Sequence, residues 1–311
     1  MKTPAPQTLQ SLGEDAFLRG LLPTLPTAPT VLVGPGDDCA VLHLPGSPDD
    51  LLLTHDPLIA GRHFLPSAPA ALVGRKAVSR AISDIAAMGG RPRWLAIGLT
   101  APKTTPAARI RAIYRAIART AAARGIAVVG GDTAEAADLA FHLTAIGTAP
   151  HGTAVRRSGA RPGHRLFVTG RLGRAWRDGS TRHFTFSPRL PEGAFLASRR
   201  YASAMMDLSD GLATDLPRLA AASRVGCRLS AAAIPLAPRA TLADALFDGE
   251  DYELLFAVPP SKVPALLREW PRTFPPLAEI GCFTPPENGL RLLRPDGTAI
   301  PLPRARPHHF A

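Results

Sequence analysis

The chain has 311 residues, 46% of them hydrophobic, and a formal net charge of +11. This length exceeds a typical single core and predicts two domains of about 150 residues each. The three cysteines, Cys39, Cys227 and Cys282, are far apart and form no CxxC pair, which argues against a disulfide framework or a thiolate metal site. No segment approaches the roughly 18 continuous apolar residues of a membrane span, and the N-terminus lacks an apolar signal core. We therefore expect a cytoplasmic protein with no membrane partner.

The positive charge is almost all arginine and is spread along the chain. A nucleic-acid-binding protein usually concentrates such charge on one face. The densest groups, Arg156-Arg157 and Arg199-Arg200, are short, and no aromatic-rich RNA motif accompanies them. We therefore expect no nucleic acid partner, although a basic surface would help to steer polyphosphate substrates.

The first half of the chain alternates apolar runs with Ala-rich stretches. The Ala-rich stretches predict helices near 69–88 and 106–123. A Pro-, Gly- and Arg-rich stretch at 149–163 then interrupts the pattern, so we expect an N-terminal domain of residues 1–149 and a C-terminal domain of residues 150–311. The apolar runs predict strands at 31–33, 40–44, 51–54, 94–99, 126–129 and 141–147.

The second half resumes with a predicted strand at 166–170. A strand ending at Asp207 and a helix over 211–222 follow, and Pro217 should kink that helix. Further strands are expected near 227–230, 253–258 and 278–282. The polar, Arg-rich segment 171–194 lacks clear periodicity and predicts a loop.

Six aspartates lie in short segments of Gly, Ser or Thr at the ends of apolar runs. If the fold brings these carboxylates together, one pair about 4 Å apart costs roughly 4 kcal/mol at an effective dielectric of about 20. Mg²⁺ relieves such repulsion, since it binds oxygen ligands and usually meets proteins through carboxylates plus substrate phosphates. The pattern predicts an enzyme that handles a phosphorylated nucleotide with Mg²⁺. The six are Asp38, Asp56, Asp84, Asp132, Asp207 and Asp210.

Two of these segments also allow structural interpretations. GPGDDCAVL at 34–42 has glycines that let backbone approach phosphate, but it could equally form a hairpin turn. Asp84 lies in a helical pattern that ends at Gly89-Gly90, where a buried carboxylate needs a cation or hydrogen-bond donors. The structural alternative for Asp84 is a salt bridge to Arg80 or Lys76.

Two further segments carry similar alternatives. Ser209 and Asp210 could cap the helix that starts near Gly211, whose free N–H groups also form a phosphate site. Capping leaves Asp207 unexplained. In LLLTHDPLIAGRHF at 51–64, Asp56 follows a buried strand and Thr54 can add a hydroxyl or carbonyl oxygen, while His63 is either a substrate contact or a partly buried structural residue.

Other nucleotide signatures are missing from the sequence. It contains no GxxxxGK[ST], no GxGxxG after a first strand and none of the protein-kinase motifs. Zinc spacings such as HExxH are also missing. The nucleotide must therefore be held mainly through metals, backbone amides and scattered arginines.

Taken in order, seven segments of the chain resemble the thiamine-monophosphate kinase family. The resemblance runs from GED at 13–15 to HHF at 308–310. Each motif is weak alone, but seven motifs in the order typical of the family are not expected by chance. The resemblance implies an α/β (α+β) fold with two domains, shared with aminoimidazole ribonucleotide synthetase, selenophosphate synthetase and the hydrogenase-maturation dehydratase. The segments are GDDCAVL, THDPLIAGRHF, SDIAAMGG with RP, VVGGDT, RSGARPG with LFVTGRLG, DLSDGL and GEDYELLF.

The resemblance also implies roles for individual residues. It implies a homodimer in which the N-terminal domains pair and the nucleotide lies near the interface. Metal contacts are implied at Asp38, Thr54, His55, Asp56, Asp84, Asp132, Asp207 and Asp210. ATP contacts are implied at Gly131, Arg157 and Ser209, and contacts to thiamine phosphate at His63, Glu250 and Phe310.

Two departures from the family pattern stand out. His55 occupies a position where the family usually has a second Thr or Ser. Because a neutral imidazole is a softer ligand than a hydroxyl, we expect its metal contact through the backbone carbonyl. The segment 171–194 is also clearly shorter than in the family.

The implied reaction is transfer of the γ-phosphoryl group of ATP to the phosphate of thiamine monophosphate. The nucleophile is already anionic, so no general base is expected, and several Mg²⁺ ions would offset the repulsion between the reactants. One alternative is a sister ATP-using enzyme of the superfamily, although residues 1–30 hold no Cys and the chain ends in HHFA rather than a Cys. Another is a degenerate nucleotide-binding homologue, against which the six aspartates weigh.

Overall fold

The structure is a computed structural model that describes residues 8–176 and 179–304. Its helices are α1 (Leu9–Leu12), α2 (Glu14–Leu21), α3 (Ala70–Ala87), α4 (Ala107–Ala122), α5 (Arg182–Thr185), α6 (Leu190–Ser198), α7 (Leu212–Ser223), α8 (Leu242–Phe247) and α9 (Val263–Glu269). The strands are β1 (Val31–Val33), β2 (Ala40–His43), β3 (Asp49–Ile59), β4 (Arg91–Ala101), β5 (Ala127–Glu135), β6 (Ala140–Pro150), β7 (Arg165–Thr169), β8 (Ala204–Asp207), β9 (Gly226–Ser230), β10 (Leu254–Val258), β11 (Leu277–Thr284), β12 (Leu290–Leu293) and β13 (Ala299–Pro301).

The first sheet has six strands in the order β1-β2-β3-β6-β4-β5. All its pairs are antiparallel except β4 with β5, which α4 connects as a crossover. The strands β3, β4 and β6 each span 11 residues and alternate buried with more accessible positions. Period-two burial shows that one face of this sheet packs on the core while the other is open.

Helix α3 packs against the buried face of the first sheet and separates it from the second half of the chain. It contacts α4, β3 and β6 on one side and α5, α6 and β8 on the other. Most of its residues are buried, as expected for a helix surrounded by other elements. Gly193 of α6 allows this close packing, because a Cβ there would lie 2.0 Å from the carbonyl oxygen of Ala86.

The second sheet has seven strands in the order β13-β12-β9-β11-β7-β10-β8. Only β12 and β9 run parallel. Helices α7 and α8 pack against each other on its core, where Leu212, Leu216 and Leu219 are buried as their spacing predicts. The strand β8 lies at the edge of this sheet, next to α3, and its last residue is Asp207.

The predicted elements agree with the structure in position but differ in two details. Strands of the first half extend beyond the apolar runs, because long antiparallel pairing continues through polar positions such as His55 and Asp56. The segment 171–194 is not a loop throughout, since it contains α5 and the start of α6. Helix α7 contains Pro217, as the sequence predicts. Within residues 8–176 and 179–304, no helix combines the length and apolarity needed to cross a bilayer.

Candidate active site

Three of the six aspartates converge where the two halves of the chain meet. Asp38 lies in the turn before β2, Asp84 in the last turn of α3, and Asp207 at the end of β8. One carboxylate oxygen from each lies within 4.8 Å of the others. Asp38 and Asp207 are buried, whereas Asp84 is partly accessible. We refer to Asp38, Asp84 and Asp207 as the acidic cluster.

The acidic cluster is strained electrostatically. Burial raises the pKa of Asp207 to about 7, and the neighbouring Asp38 adds to the effect. Burial also holds the pKa of Asp84 well above its usual range, together with repulsion from Asp207 and Asp56. The pKa of Asp38 is raised by burial, although the guanidinium of Arg157 opposes the shift. Three carboxylates near one another thus favour binding of positive charge, either protons or a cation.

Hydroxyl groups and one guanidinium hold the cluster in place. Thr54 donates its hydroxyl hydrogen bond to Oδ2 of Asp84 at 2.5 Å, and Ser83 donates to Oδ2 of Asp207 at 2.5 Å. Arg157 donates from Nη2 to Oδ1 of Asp38 at 2.8 Å. These donors fix the orientation of the three carboxylates but supply only a single positive charge.

The second oxygen of Asp38 is the clearest sign of a cation site. This Oδ2 atom is buried and has no hydrogen-bond partner among the described residues. A buried carboxylate oxygen without a donor is costly, and a metal ion satisfies it. The residues present therefore fit a hard divalent cation, which takes carboxylate oxygens as ligands.

Two other predicted metal residues form ion pairs beside the acidic cluster. Asp56 accepts from Nε of Arg80 at 3.2 Å, although its charge still acts on Asp84. Asp210 pairs with Nη1 of Arg218 at 2.5 Å. Asp56 acts electrostatically on Asp84, and Asp210 follows Asp207 by three residues. In the structure, however, each of the two carboxylates is paired with an arginine.

The remaining two predicted metal residues lie elsewhere. The imidazole of His55 is on the exposed face of β3, where its Nδ1 lies 2.9 Å from the hydroxyl of Thr144. Thr54 points to the opposite, buried face, so the structure does not bring the His55 ring to the acidic cluster. Asp132 lies on β5, which is exposed along its whole length.

The register of the first sheet gives the separation between Asp56 on β3 and Gly131, the neighbour of Asp132 on β5. Asp56 pairs with Leu143, Leu143 pairs with Ile97, and Ile97 pairs with Gly131. Three strand spacings therefore separate Asp56 from Gly131, a distance of about 14 Å between the two backbones. Gly131 is also required by packing, because a Cβ there would lie 1.9 Å from the carbonyl oxygen of Ile97.

A cleft of about 450 Å³ lies beside the acidic cluster. Its walls combine cationic and aromatic residues with residues from the segments after β8 and α8. Cationic side chains can bind a phosphate, and aromatic side chains can pack against a ring system. The lining includes Arg62, His63, Arg80, Trp176, Ser209, Asp210, Phe247, Glu250 and Tyr252.

An ion-pair network centred on the buried Lys76 forms one wall of the cleft. Lys76, which is fully buried, pairs with Oε2 of Glu250 and donates to the backbone carbonyl of His63 at 2.6 Å. Arg80 lies 3.8 Å from Oε1 of Glu250 and also contacts Asp56. Burial lowers the pKa of Lys76 to about 8, while its pairing with Glu250 opposes that shift. We refer to Lys76, Arg80, Glu250 and Asp56 as the cleft network.

His63 and Glu250, both predicted substrate contacts, line the cleft. The backbone N–H of Ile59 donates to Nδ1 of His63 at 2.9 Å, so the neutral ring carries its proton on Nε2. Glu250 has φ of 70° and Tyr252 has φ of 52°. Left-handed conformations at such residues cost of order 1–3 kcal/mol and cluster at functional sites.

The structure also decides between the structural alternatives. The hairpin interpretation of GPGDDCAVL is correct, since β1 and β2 pair antiparallel on either side of that turn, and Asp38 joins the cluster from it. Asp84 does not pair with Arg80 or Lys76, whose carboxylate partners belong to the cleft network. Ser209 and Asp210 do not cap α7, because its N-cap is Gly211 and has no side-chain cap hydrogen bond.

Sequence reasoning predicted Asp84 but assigned neither Lys76 nor Arg80 nor Trp176 to the cleft. Lys76, Arg80 and Asp84 are spaced four apart on α3, so a polar stripe on an otherwise apolar helix was a readable signal. Trp176 lies in the short segment that lacks periodicity, and no pattern pointed to it. Phe310, a predicted substrate contact, lies outside the described residues.

Comparison with known proteins places both halves of the chain in one family. Residues 36–149 match the AIR synthase related protein, N-terminal domain, and residues 187–289 match the corresponding C-terminal domain. Thiamine-monophosphate kinase of Escherichia coli strain K12 is 34% identical over 90% of this chain and 93% of its own length. The enzyme of that name from Mycobacterium tuberculosis strain H37Rv is 37% identical over 73% of this chain and 72% of its own length.

Solved structures agree with this placement. AaThiL complexed with AMPPCP and TMP superimposes with a TM-score of 0.81 at 29% identity, covering 96% of this chain and 98% of that one. The hydrogenase maturation protein HypE of Escherichia coli matches with a TM-score of 0.69 at 23% identity, over 83% of this chain and 87% of its own, which shows a shared fold alone. The two-sheet architecture, the domain matches and the relatives together show that this chain belongs to the thiamine-monophosphate kinase family of AIR synthase related enzymes.

Proposed function

We propose that the chain transfers the γ-phosphoryl group of ATP to the phosphate of thiamine monophosphate. The observation that carries this proposal is the acidic cluster, with its unsatisfied Asp38 oxygen, beside a cleft lined by arginine and aromatic side chains. Two findings on relatives support the proposal. AaThiL has been solved in complex with AMPPCP and TMP, and the curated relatives are named thiamine-monophosphate kinase.

Mg²⁺ is the cation that best fits the acidic cluster, because all of the converging ligands are oxygen atoms. When bound, Mg²⁺ would neutralise charge on the phosphates and on the carboxylates. Asp38, Asp84 and Asp207 would hold it directly. In this proposal Thr54, the backbone carbonyl of His55, Asp56 and Asp210 complete the metal contacts, and Asp132 contacts a separate ion because of its distance from the cluster.

The chain's own residues bind and orient the two anions. We assign Arg157, Ser209 and Gly131 to ATP, and His63, Glu250 and Phe310 to thiamine monophosphate. An oxygen of the substrate phosphate forms a bond to the γ-phosphorus, and the bond from that phosphorus to the bridging oxygen of ADP breaks. No residue needs to remove a proton, because the attacking oxygen is already anionic at neutral pH.

We also propose that two chains pair through their N-terminal domains, residues 1–149, leaving residues 150–311 as the second domain. Strand β5 offers an open edge and exposes Val128 and Val129, and the accessible face of the first sheet exposes Trp94. Open edges with apolar residues are normally covered in proteins. Val129→Glu should then yield monomers by light scattering, whereas Leu267→Glu, at a comparably exposed site on α9, should leave dimers.

One assay tests the proposed activity. Purified protein incubated with ATP, thiamine monophosphate and Mg²⁺ should form ADP and thiamine diphosphate in equal amounts, and omission of Mg²⁺ should abolish both. Asp84→Asn should lower the rate at least about 100-fold, which corresponds to about 2.7 kcal/mol of barrier. The conservative Asp296→Asn, in an exposed turn, serves as the control. ADP without thiamine diphosphate would instead indicate a different phosphoryl acceptor.

A further inference from the structure

A second group of potential metal ligands lies at the opposite end of β3 from the acidic cluster. His43 of β2, Asp50 of β3 and His151, just after β6, bring one ligand atom each to within 4.8 Å of the others. Asp50 is four residues before Thr54 on β3, a separation of about 13 Å along the strand. The group is therefore distinct from the site that handles the phosphates.

Both imidazoles converge on the same carboxylate oxygen. Nδ1 of His43 lies 2.8 Å from Oδ1 of Asp50, and Nδ1 of His151 lies 2.7 Å from that atom. The two rings lie side by side with centroids 4.1 Å apart and planes tilted by 42°. Two nitrogens and one oxygen thus lie close enough together to become ligands of a single transition-metal ion.

The carboxylate at the centre is preorganised. Asp50 is 1% exposed, and its other oxygen, Oδ2, accepts a hydrogen bond from the backbone N–H of Gly152 at 2.9 Å. Hydrogen bonding of the second oxygen is the usual support for a ligating carboxylate. Side-chain exposures of 24% for His43 and 54% for His151 leave a path for an ion and for water.

We propose that His43, Asp50 and His151 form a site for a divalent transition metal of the Zn²⁺ class. Imidazole nitrogen favours such metals over Mg²⁺, which separates this site chemically from the acidic cluster. Three protein ligands leave a fourth position for water. On binding, each ring presents its Nδ1 lone pair and carries its proton on Nε2, so a shift of tautomer is sufficient and no other reactant takes part.

The geometry needs only a small adjustment to accept the ion. Ligand atoms around a tetrahedral Zn²⁺ are roughly 3.3 Å apart, given bond lengths of about 2.0–2.2 Å. The nitrogen–oxygen distances in the chain are shorter by about half an ångström, and rotation of the exposed His151 ring can open them. Binding would join the β2–β3 hairpin to the segment that leads from β6 towards Arg157.

Titration with Co²⁺ tests this site, because Co²⁺ bound to imidazole in a tetrahedral environment absorbs visible light. Untagged, chelator-treated full-length protein is first saturated with Mg²⁺ to occupy the acidic cluster, and Co²⁺ is then added with Zn²⁺ as the competitor. We expect one equivalent of Co²⁺ to bind, to produce the visible bands and to be displaced by Zn²⁺.

Three variants make the test specific. His43→Gln and His151→Gln should each weaken Co²⁺ binding at least tenfold, while His164→Gln, which removes an imidazole bonded to Ser203, should bind like the parent. Circular dichroism checks that each variant is folded. Because the His151 side chain is 54% exposed, His151→Gln should fold like the parent. The proposal is overturned if the parent shows no visible bands at micromolar Co²⁺, or if all three variants bind equally. Either result would leave the two imidazoles as hydrogen-bond donors to Asp50 only.

Discussion

Helix α3 serves two neighbouring regions that handle charge in opposite ways. Its C-terminal turn gives Asp84 to the acidic cluster, where three carboxylates share one guanidinium. One and two turns earlier it gives Arg80 and Lys76 to the cleft network, where two cations face Glu250 and Asp56. The cluster has an excess of negative charge, whereas the network is balanced within the protein.

The difference indicates which part of the site depends on a bound ion. A charge-balanced and largely buried network keeps its geometry without a ligand, so the cleft wall is preorganised. The acidic cluster has charges that its own side chains do not offset, so it gains stability when a cation binds. The cleft network should therefore be sensitive to loss of a partner, and the acidic cluster to loss of metal.

Lys76→Met should produce the largest change in stability. It leaves the largely buried Glu250 with the more distant Arg80 and His183 as neighbours, and breaking a buried ion pair costs about 3–5 kcal/mol. Urea denaturation measures the change, and the double variant Lys76→Met with Glu250→Gln should recover at least about 1 kcal/mol because no unpaired charge remains. If the single variant lost less than about 1 kcal/mol of unfolding free energy, the cleft network would not be what stabilises this wall of the cleft.

Matched Asp→Asn substitutions separate the two regions. In metal-free protein, Asp56→Asn should lower stability by about 1–3 kcal/mol, since Arg80 loses a charged partner. Asp84→Asn should leave the melting temperature equal to or above that of the parent, because it removes a repelled carboxylate. If both variants were destabilised alike, the acidic cluster would not be strained and the contrast between the regions would fail.

The pH dependence of stability should reveal the acidic cluster directly. The pKa of Asp207 rises from 3.8 to about 7 in the folded chain, so the folded state binds more protons than the unfolded state between these values. Its contribution makes metal-free stability fall as pH rises from about 4 to 7, by at most about 1.4 kcal/mol per pH unit. Denaturation at several pH values should show a smaller decline for Asp207→Asn, and saturating Mg²⁺ should flatten the decline of the parent.

His55→Thr should have the smallest effect. The ring contacts Thr144 on the far side of β3 from the acidic cluster, so the variant keeps the backbone carbonyl that we assign to the metal. The rate of thiamine diphosphate formation should change by less than about tenfold, or 1.4 kcal/mol. A much larger gain would mean that the chain is a catalytically weakened member of its family.

Local sequence patterns predicted the elements and singled out all three aspartates of the acidic cluster. Asp38, Asp84 and Asp207 each follow or end an apolar run, and such positions lie at element ends where the halves meet. The four-residue spacing on α3 was also visible, but spacing alone could not show that Lys76 and Arg80 turn towards Glu250 rather than Asp84.

Long-range pairing accounts for what the sequence could not reveal. Asp50 meets His151 because β3 and β6 pair in a register that places Asp50 opposite Ala149. Asp132 has the same local signature as the other aspartates, yet β5 lies three strand spacings away from β3. The order of strands in a sheet depends on the whole fold, and single-sequence periodicity does not encode it.

Binding of Mn²⁺, followed by electron paramagnetic resonance in the presence of a non-hydrolysable ATP analogue, tests the central claim most directly. Because free Mn²⁺ gives the strong signal, its loss counts the bound ions, and Mg²⁺ should compete for them. We predict that the parent binds Mn²⁺ at least tenfold more tightly than Asp84→Asn or Asp207→Asn, with Asp296→Asn unchanged. Equal binding by all four proteins would contradict the assignment of the acidic cluster as the site of the divalent cation.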